Sequence, residues 1–209
     1  VETYLYGDSF VDGEFQDRHF HSIKKDLDSD QADRILFIPT FYGVKNYFSL
    51  YLKALNSTDN FLFVEEHISV WDIFRSLQHP FLLNTRQASL FLRGVDISQM
   101  VNRSLIRHCT STSSLYSILK FYFCENLKDG VFPYIGSVVR WYENQEIDHG
   151  SILGWRAYSD SLSVTGYVGF FPSTNYLCVY PIQAELESKL TPDCIGVMGS
   201  GLIPAYNQF

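Results

Sequence analysis

Short apolar runs alternate with helix-spaced apolar patterns along most of this chain, and that alternation constrains its fold more than any other feature. Arg34-Ile35-Leu36-Phe37-Ile38 is an apolar run that stops at Pro39, which predicts a buried strand. Val44, Tyr47, Phe48, Tyr51, Leu52 and Leu55 follow at helical spacing, closed by Asn56-Ser57. Phe61 to Val64 predicts the next strand. Ser69 then precedes Val70, Ile73, Phe74 and Leu77, with Asp72 three residues on, a capping box with Asp in place of the usual Glu. Strand, helix, strand, helix at this spacing implies βαβ units and a parallel sheet covered by helices.

The segment from about 84 to 130 departs from the alternation. Ile97, Met100, Val101, Leu105 and Cys109 form one helical pattern, and Leu115, Ile118, Leu119, Tyr122 and Phe123 a second, with Ser113 as its expected N-cap. A helical insertion at the carboxyl edge of the sheet is expected there, where insertions shape grooves. The alternation then resumes: strand Ile135 to Tyr142, helix Gln145 to Arg156, strand Leu162 to Phe171, strand Tyr176 to Tyr180, helix Ile182 to Leu190 and strand Cys194 to Met198. Gly199-Ser200-Gly201 opens a tail that reads as a linker. The expected fold is α/β, a Rossmann-like and mostly parallel sheet with flanking helices and that insertion, over residues 1–198. Residues 199–209 would lead to a second domain that is missing or short. The chain opens on Val1, which suits a processed product or a fragment.

Composition excludes several classes. At 46% hydrophobic and 19% charged residues, the chain is not intrinsically disordered. A net charge of −7 without a basic cluster argues against nucleic-acid binding. No run approaches the ~18–20 apolar residues that span a bilayer, and residues 1–15 lack the features of a signal peptide. The four cysteines (109, 124, 178, 194) form no CxxC pair, and the histidines do not cluster, so no metal site is expected. Cys109 and Cys178 lie in apolar surroundings and are expected to be reduced and structural, which suits a cytoplasmic location.

Three motifs bear on chemistry. Gly7-Asp8-Ser9 after Tyr4-Leu5-Tyr6 resembles the nucleophile turn of SGNH-type esterases using Ser9, but the Gly-x-Asn-Asp block and late Asp-x-x-His of that family are missing, and an ordinary Asp/Gly turn explains it better. Gly196-Val197-Met198-Gly199-Ser200-Gly201 matches no phosphate loop. Arg140-Trp141-Tyr142-Glu143-Asn144-Gln145-Glu146 is the most informative. An apolar strand runs directly into acidic and amide side chains, at the strand end where open α/β sheets bind ligands. Glu143 there could serve as base or nucleophile, with Asn144 holding a sugar hydroxyl; alternatively, Glu143 caps the next helix or pairs with Arg156.

Tyr142-Glu143-Asn144-Gln145, Gly154-Trp155-Arg156 and Gly166-Tyr167-Val168-Gly169 together resemble the surface-carbohydrate biosynthesis proteins of bacterial O-antigen and capsule loci, which are glycosyltransferases of GT-B architecture or their relatives. The opening, Tyr4-Leu5-Tyr6 with Phe15 and His19-Phe20-His21, and Pro192 to Gly199 are similar as well. Glu146-Ile147-Asp148 and Val168-Gly169-Phe170 depart from the family pattern, so its Gln-His role has no counterpart here.

The resemblance implies an acceptor-binding half of a glycosyltransferase, inactive alone, that needs no bound metal and takes a nucleotide-sugar co-substrate, CMP-linked in some relatives. Glu143 would be the base or nucleophile. Asn144 and Gln145 would position hydroxyls, Arg156 would neutralise an acidic sugar or orient Glu143, and His149 would assist. Trp141, Tyr142 and Tyr42 would line the acceptor platform. A carbohydrate acceptor carried on a lipid would bring the chain to the inner face of the cytoplasmic membrane. A non-catalytic carbohydrate-binding domain is the competing class.

Aromatic residues reach 16% of the chain. Tyr47, Phe48, Tyr51, Phe61, Phe63 and Phe74 are expected to fill the core, while Phe41, Tyr42, Trp141, Tyr142, Trp155, Tyr158 and Phe170-Phe171 gather at or beside strand ends.

Overall fold

The computed structural model describes residues 1–20, 23–82, 89–128, 134–172 and 177–207. Strand β1 (Glu2–Leu5) is followed by a hairpin, β2 (Phe10–Val11) and β3 (Glu14–Phe15), which turns through Asp12-Gly13 with both residues at positive φ. Helix α1 (Ser29–Ala32), strand β4 (Leu36–Phe41), helix α2 (Tyr47–Leu55) and strand β5 (Asn60–Phe61) complete the first half. Next come α3 (Val70–Leu82), a second hairpin of β6 (Phe91–Leu92) and β7 (Val95–Asp96), α4 (Ser98–Cys109) and α5 (Thr112–Lys128). The remainder is β8 (Ser137–Trp141), α6 (Glu146–Tyr158), β9 (Ser163–Val168), α7 (Gln183–Glu187), β10 (Cys194–Val197) and α8 (Ile203–Tyr206).

Six of the strands form one all-parallel sheet in the order β10-β9-β8-β1-β4-β5. Counting only these strands along the chain, the order is 3-2-1-4-5-6, the doubly wound Rossmann arrangement. Each face is covered. Phe123, Cys124 and Leu127 of α5 and Ile152, Trp155 and Tyr158 of α6 pack with Ile38, Val138, Val164 and Val168 of the sheet. Leu50 and Ala54 of α2 pack with Leu5, Phe63, Phe10 and Phe15 in the other cluster. The α5–α6 crossing depends on two glycines: a Cβ on Gly150 would lie 2.1 Å from the Ser117 carbonyl oxygen, and one on Gly154 would lie 2.9 Å from Cys124 Cβ.

Several expectations need correction. Pro39 does not end its strand, because β4 continues to Phe41 with Pro39 opposite Thr3. The Ile38 amide donates toward β1, to the Val1 carbonyl, so the Pro39 nitrogen faces the other way, beyond the end of β5, where no ladder bond is required. Strand β5 is only Asn60–Phe61, and the chain from Val64 is a 3-10 turn. Among the described residues from 89 to 128 there is no single insertion: α5 is a core helix of the sheet, and β6, β7 and α4 stand outside it. Ser111, not Ser113, caps α5, its hydroxyl accepting the Ser114 amide at 3.0 Å. The expected strand ending at Tyr180 is a 3-10 turn, Leu177–Val179, and Tyr176 lies outside the described residues. Residues 200–206 form two short helical turns, and Tyr206 packs on the core. Cys178 and Cys194 are exposed, and all four cysteines are free thiols.

The helix-capping reading of α3 holds. Asp72 Oδ2 accepts the Ser69 amide at 2.8 Å, and Ser69 Oγ accepts the Asp72 amide at 3.2 Å. Its core reading does not hold. Tyr47, Phe48 and Phe74, all expected in the core, are exposed, because α2 and α3 bury Leu50, Ala54, Asp72 and Ser76 instead.

Candidate functional site

The strand order reverses between β1 and β8, and a crevice opens beyond their carboxyl ends, as this topology requires. It holds a cavity of about 220 Å³ lined by Tyr4, Tyr6, His19, Tyr42, Trp141, Glu143, Gln145 and Asp148. A larger cleft of about 900 Å³ adjoins it, sharing Tyr4, Tyr42 and Gln145, and reaches Arg107 and His108 of α4 and Tyr116 of α5.

Glu143 stands where β8 gives way to the loop before α6. Trp141 Nε1 donates to its Oε1 at 2.7 Å, and Gln145 Nε2 donates to its Oε2 at 2.6 Å. Three consecutive alternate residues thus form one fixture: an indole, a carboxylate and an amide. The Trp141 ring also packs on His19, with centroids 4.1 Å apart, and on Tyr167 and Phe170. Tyr42 is 61% exposed and sets its ring edge-on against Tyr4 and Tyr6. His19 also meets the Tyr6 hydroxyl, 3.4 Å from its Nε2. Burial pushes the His19 pKa down, against the pull of Asp17.

A buried charge network holds this fixture from below. Asp148, in the first turn of α6, accepts the backbone amides of Glu143 (3.1 Å) and Gln145 (2.9 Å) on Oδ2. Its Oδ1 accepts Arg140 Nη2 at 2.5 Å. Arg140 Nη1 reaches Glu2 Oε2 at 2.8 Å, and Lys120 Nζ lies 3.8 Å from Glu2 Oε1. Ser151 and the Trp155 indole also donate to Glu2. Two cations and two carboxylates therefore balance inside the fold, which burial requires. Burial alone would raise the Glu2 pKa; the Arg140 and Lys120 charges and those hydrogen bonds outweigh it and hold the carboxyl at about 2. Arg140 is shifted up, its burial outweighed by Glu2 and Asp148.

The residues expected to form the site divide. Trp141, Glu143, Gln145 and Tyr42 meet around the crevice. Tyr142 points the other way: it is fully buried in the core and donates its hydroxyl to Asn144 Oδ1 at 2.7 Å. Asn144, at φ 56°, borders the large cleft, yet its amide is committed. Asn144 Nδ2 donates to the Cys178 carbonyl (3.0 Å) and Glu185 (3.1 Å), and Oδ1 also meets His149 Nε2 at 3.0 Å. Asn144 and His149 therefore tether the 177–185 segment to the end of β8. Burial lowers the His149 pKa, against the pull of Glu185.

Arg156 does not approach Glu143. It lies in the last turn of α6, roughly 15 Å along the helix from its start at 1.5 Å per residue, and binds the Thr191 carbonyl (2.8 Å) and Asp193 (3.0 Å) ahead of β10. That is the amino edge of the sheet, so neither the pairing with Glu143 nor a sugar-binding role fits. Ser9 is not presented as a nucleophile. It is 3% exposed, and its Oγ accepts the Tyr6 amide at 2.9 Å inside a tight turn. His21 lies outside the described residues.

The sequence assigned no site role to His19, Tyr4, Tyr6, Asp148 or the Glu2–Arg140 pair. A signal for the pair was present: each is a lone charge inside an apolar strand, opposite in sign, and lone buried charges require partners. His19 carried none, since only the fold brings it to Trp141. No family model, no curated protein and no solved structure matches this chain.

Proposed function

We propose that the chain is the acceptor side of a glycosyltransferase, with a sugar seated beyond β1 and β8 and Glu143 as its base. The observation that carries this reading is Glu143 itself. Its carboxylate is fixed by Trp141 and Gln145 in an aromatic-lined crevice at the point of the fold that favours ligand binding. The apolar face of a pyranose stacks on Trp141 or Tyr42, while its hydroxyls meet Glu143, Gln145 and the tyrosines. Glu143 takes the acceptor hydroxyl proton as that oxygen bonds to the anomeric carbon of the donor, and the nucleotide phosphate leaves with the electrons of the broken bond. The donor is a nucleotide sugar, CMP-linked if the family resemblance extends that far, and the large cleft beside Tyr42 gives it or a longer acceptor room. A lipid-linked acceptor would locate the reaction at the inner face of the cytoplasmic membrane.

One feature favours a second reading, a carbohydrate-binding domain without catalysis. Both oxygens of Glu143 already accept hydrogen bonds, which suits a carboxylate that orients hydroxyls. Transfer assays separate the two. The full-length protein is incubated with CMP-, UDP- and GDP-sugars and a lipopolysaccharide-core oligosaccharide, and products are read by mass spectrometry. Transfer is expected to fall at least about 100-fold in Glu143→Gln, the size of a lost general base. Near wild-type transfer in that variant would remove Glu143 from the chemistry, and sugar binding without transfer would favour the second reading.

A further inference from the structure

Helix α3 is built inside out. Val70, Phe74, Leu77 and Phe81 recur at i, i+4, i+7 and i+11 and so share one stripe, yet they are 69%, 54%, 53% and 88% exposed. The buried side is polar. Asp72 and Ser76 are almost fully enclosed, and Asn126 of α5 donates to Asp72 at 2.9 Å. Trp71 and Leu82 extend the exposed apolar surface beside the stripe. The same pattern continues past α3: Phe91, Leu92 and Val95 of the β6–β7 hairpin are exposed. Helix α4 packs on α3, buries no residue of its own and shows Met100, Leu105 and Ile106. Apolar surface on this scale marks an interface.

Charge identifies the occupant. Residues 70–109 hold five arginines and two aspartates, with no lysine and no glutamate, a formal +3. The whole chain carries −7, so the remaining residues carry −10. Asp72 is buried and Asp96 is exposed, while Arg75, Arg93, Arg103 and Arg107 are exposed. Exposed aromatic and aliphatic side chains in a segment of net positive charge match the demands of an anionic lipid interface. A symmetric contact with a second copy would instead oppose two cationic faces.

We propose that α3, the β6–β7 hairpin and α4 dock this chain on an anionic phospholipid surface, with the α3 stripe at the boundary of headgroups and acyl chains and the arginines on lipid phosphates. Helix α4 also supplies Ser104, Arg107 and His108 to the wall of the large cleft, so docking sets the cleft mouth at the bilayer. The docking does not depend on the sugar-transfer reading.

Flotation of the full 209-residue chain with phosphatidylcholine vesicles, with and without phosphatidylglycerol, tests it. The chain is expected to float with the anionic vesicles and at least about tenfold less with the neutral ones. Leu77→Glu and Phe81→Glu change exposed positions, so circular dichroism stays unchanged while flotation is lost. Arg93→Glu with Arg103→Glu removes the preference for phosphatidylglycerol. Absence of flotation on anionic vesicles, or flotation indifferent to these variants, overturns the proposal. So does a dimer, seen by sedimentation and dissolved by Leu77→Glu, in a chain that binds no vesicles; that result assigns the face to a second copy.

Discussion

Arg140 and Asp148 meet at 2.5 Å beneath the crevice, and the second oxygen of the same Asp148 carboxylate receives the backbone amides on either side of Asn144. A buried ion pair and the loop that presents Glu143 are therefore one structure. The carboxylate cannot shift toward Arg140 without releasing the loop.

Asp148→Asn should consequently loosen the loop as well as the fold. The amide can still accept from Arg140, but its NH2 cannot accept the Glu143 and Gln145 amides. A loss on the order of 3 kcal/mol is expected, as for breaking a buried pair, read from urea unfolding midpoints. Hydrogen exchange at the Glu143 and Gln145 amides should accelerate more than at the Val138 amide in β8. Uniform acceleration would show that Asp148 serves stability alone.

Gly150→Ala tests the α5–α6 contact. Its Cβ would meet the Ser117 carbonyl oxygen at 2.1 Å and Ser117 Oγ at 2.3 Å, and the first of these is backbone that cannot swing aside. Overpacking costs about 1–3 kcal/mol and occasionally more, and Gly150→Ala should exceed Gly154→Ala, whose closest neighbour is a side-chain atom at 2.9 Å. Thermal melts of the two variants give the order.

The fold class was legible because alternating apolar periods report sheet and helix directly. The strand order was not, since 3-2-1-4-5-6 depends on which way each crossover turns. Periodicity also misled at α3, where Val70, Phe74 and Leu77 form a proper helical stripe that faces outward: a stripe predicts a helix, but not which side the rest of the chain covers. At the site, Glu143, Gln145 and Trp141 were readable from their place after an apolar strand. Tyr142 and Asn144 share that stretch but turn inward, to the core and to the 177–185 segment, contacts that local sequence cannot display.

Acid stability should follow Glu2. Its folded pKa, about 2, lies below the ordinary value of 4.5, so the unfolded chain binds more protons between these pH values and stability rises with pH there. Glu2 contributes fully above pH 4.5 and loses its contribution as pH falls from 4.5 toward 2. Glu2→Gln should flatten that part of the unfolding profile and, by leaving Arg140 and Lys120 under-compensated, lower stability at pH 7 by about 3–5 kcal/mol. An unchanged acid limb would show that other carboxylates control it.

The most direct test of the sugar site is saturation-transfer NMR with galactose, N-acetylglucosamine and Kdo, comparing the wild-type chain with Tyr42→Ala. Tyr42 is 61% exposed, so its removal spares the fold while taking away one wall of the crevice. Saturation of ring protons from at least one sugar is expected in the wild type, reduced at least about tenfold in Tyr42→Ala and unaltered in Arg156→Ala, whose side chain lies at the opposite edge of the sheet. No saturation from any of the three, or equal saturation in Tyr42→Ala and the wild type, would contradict the sugar-site proposal.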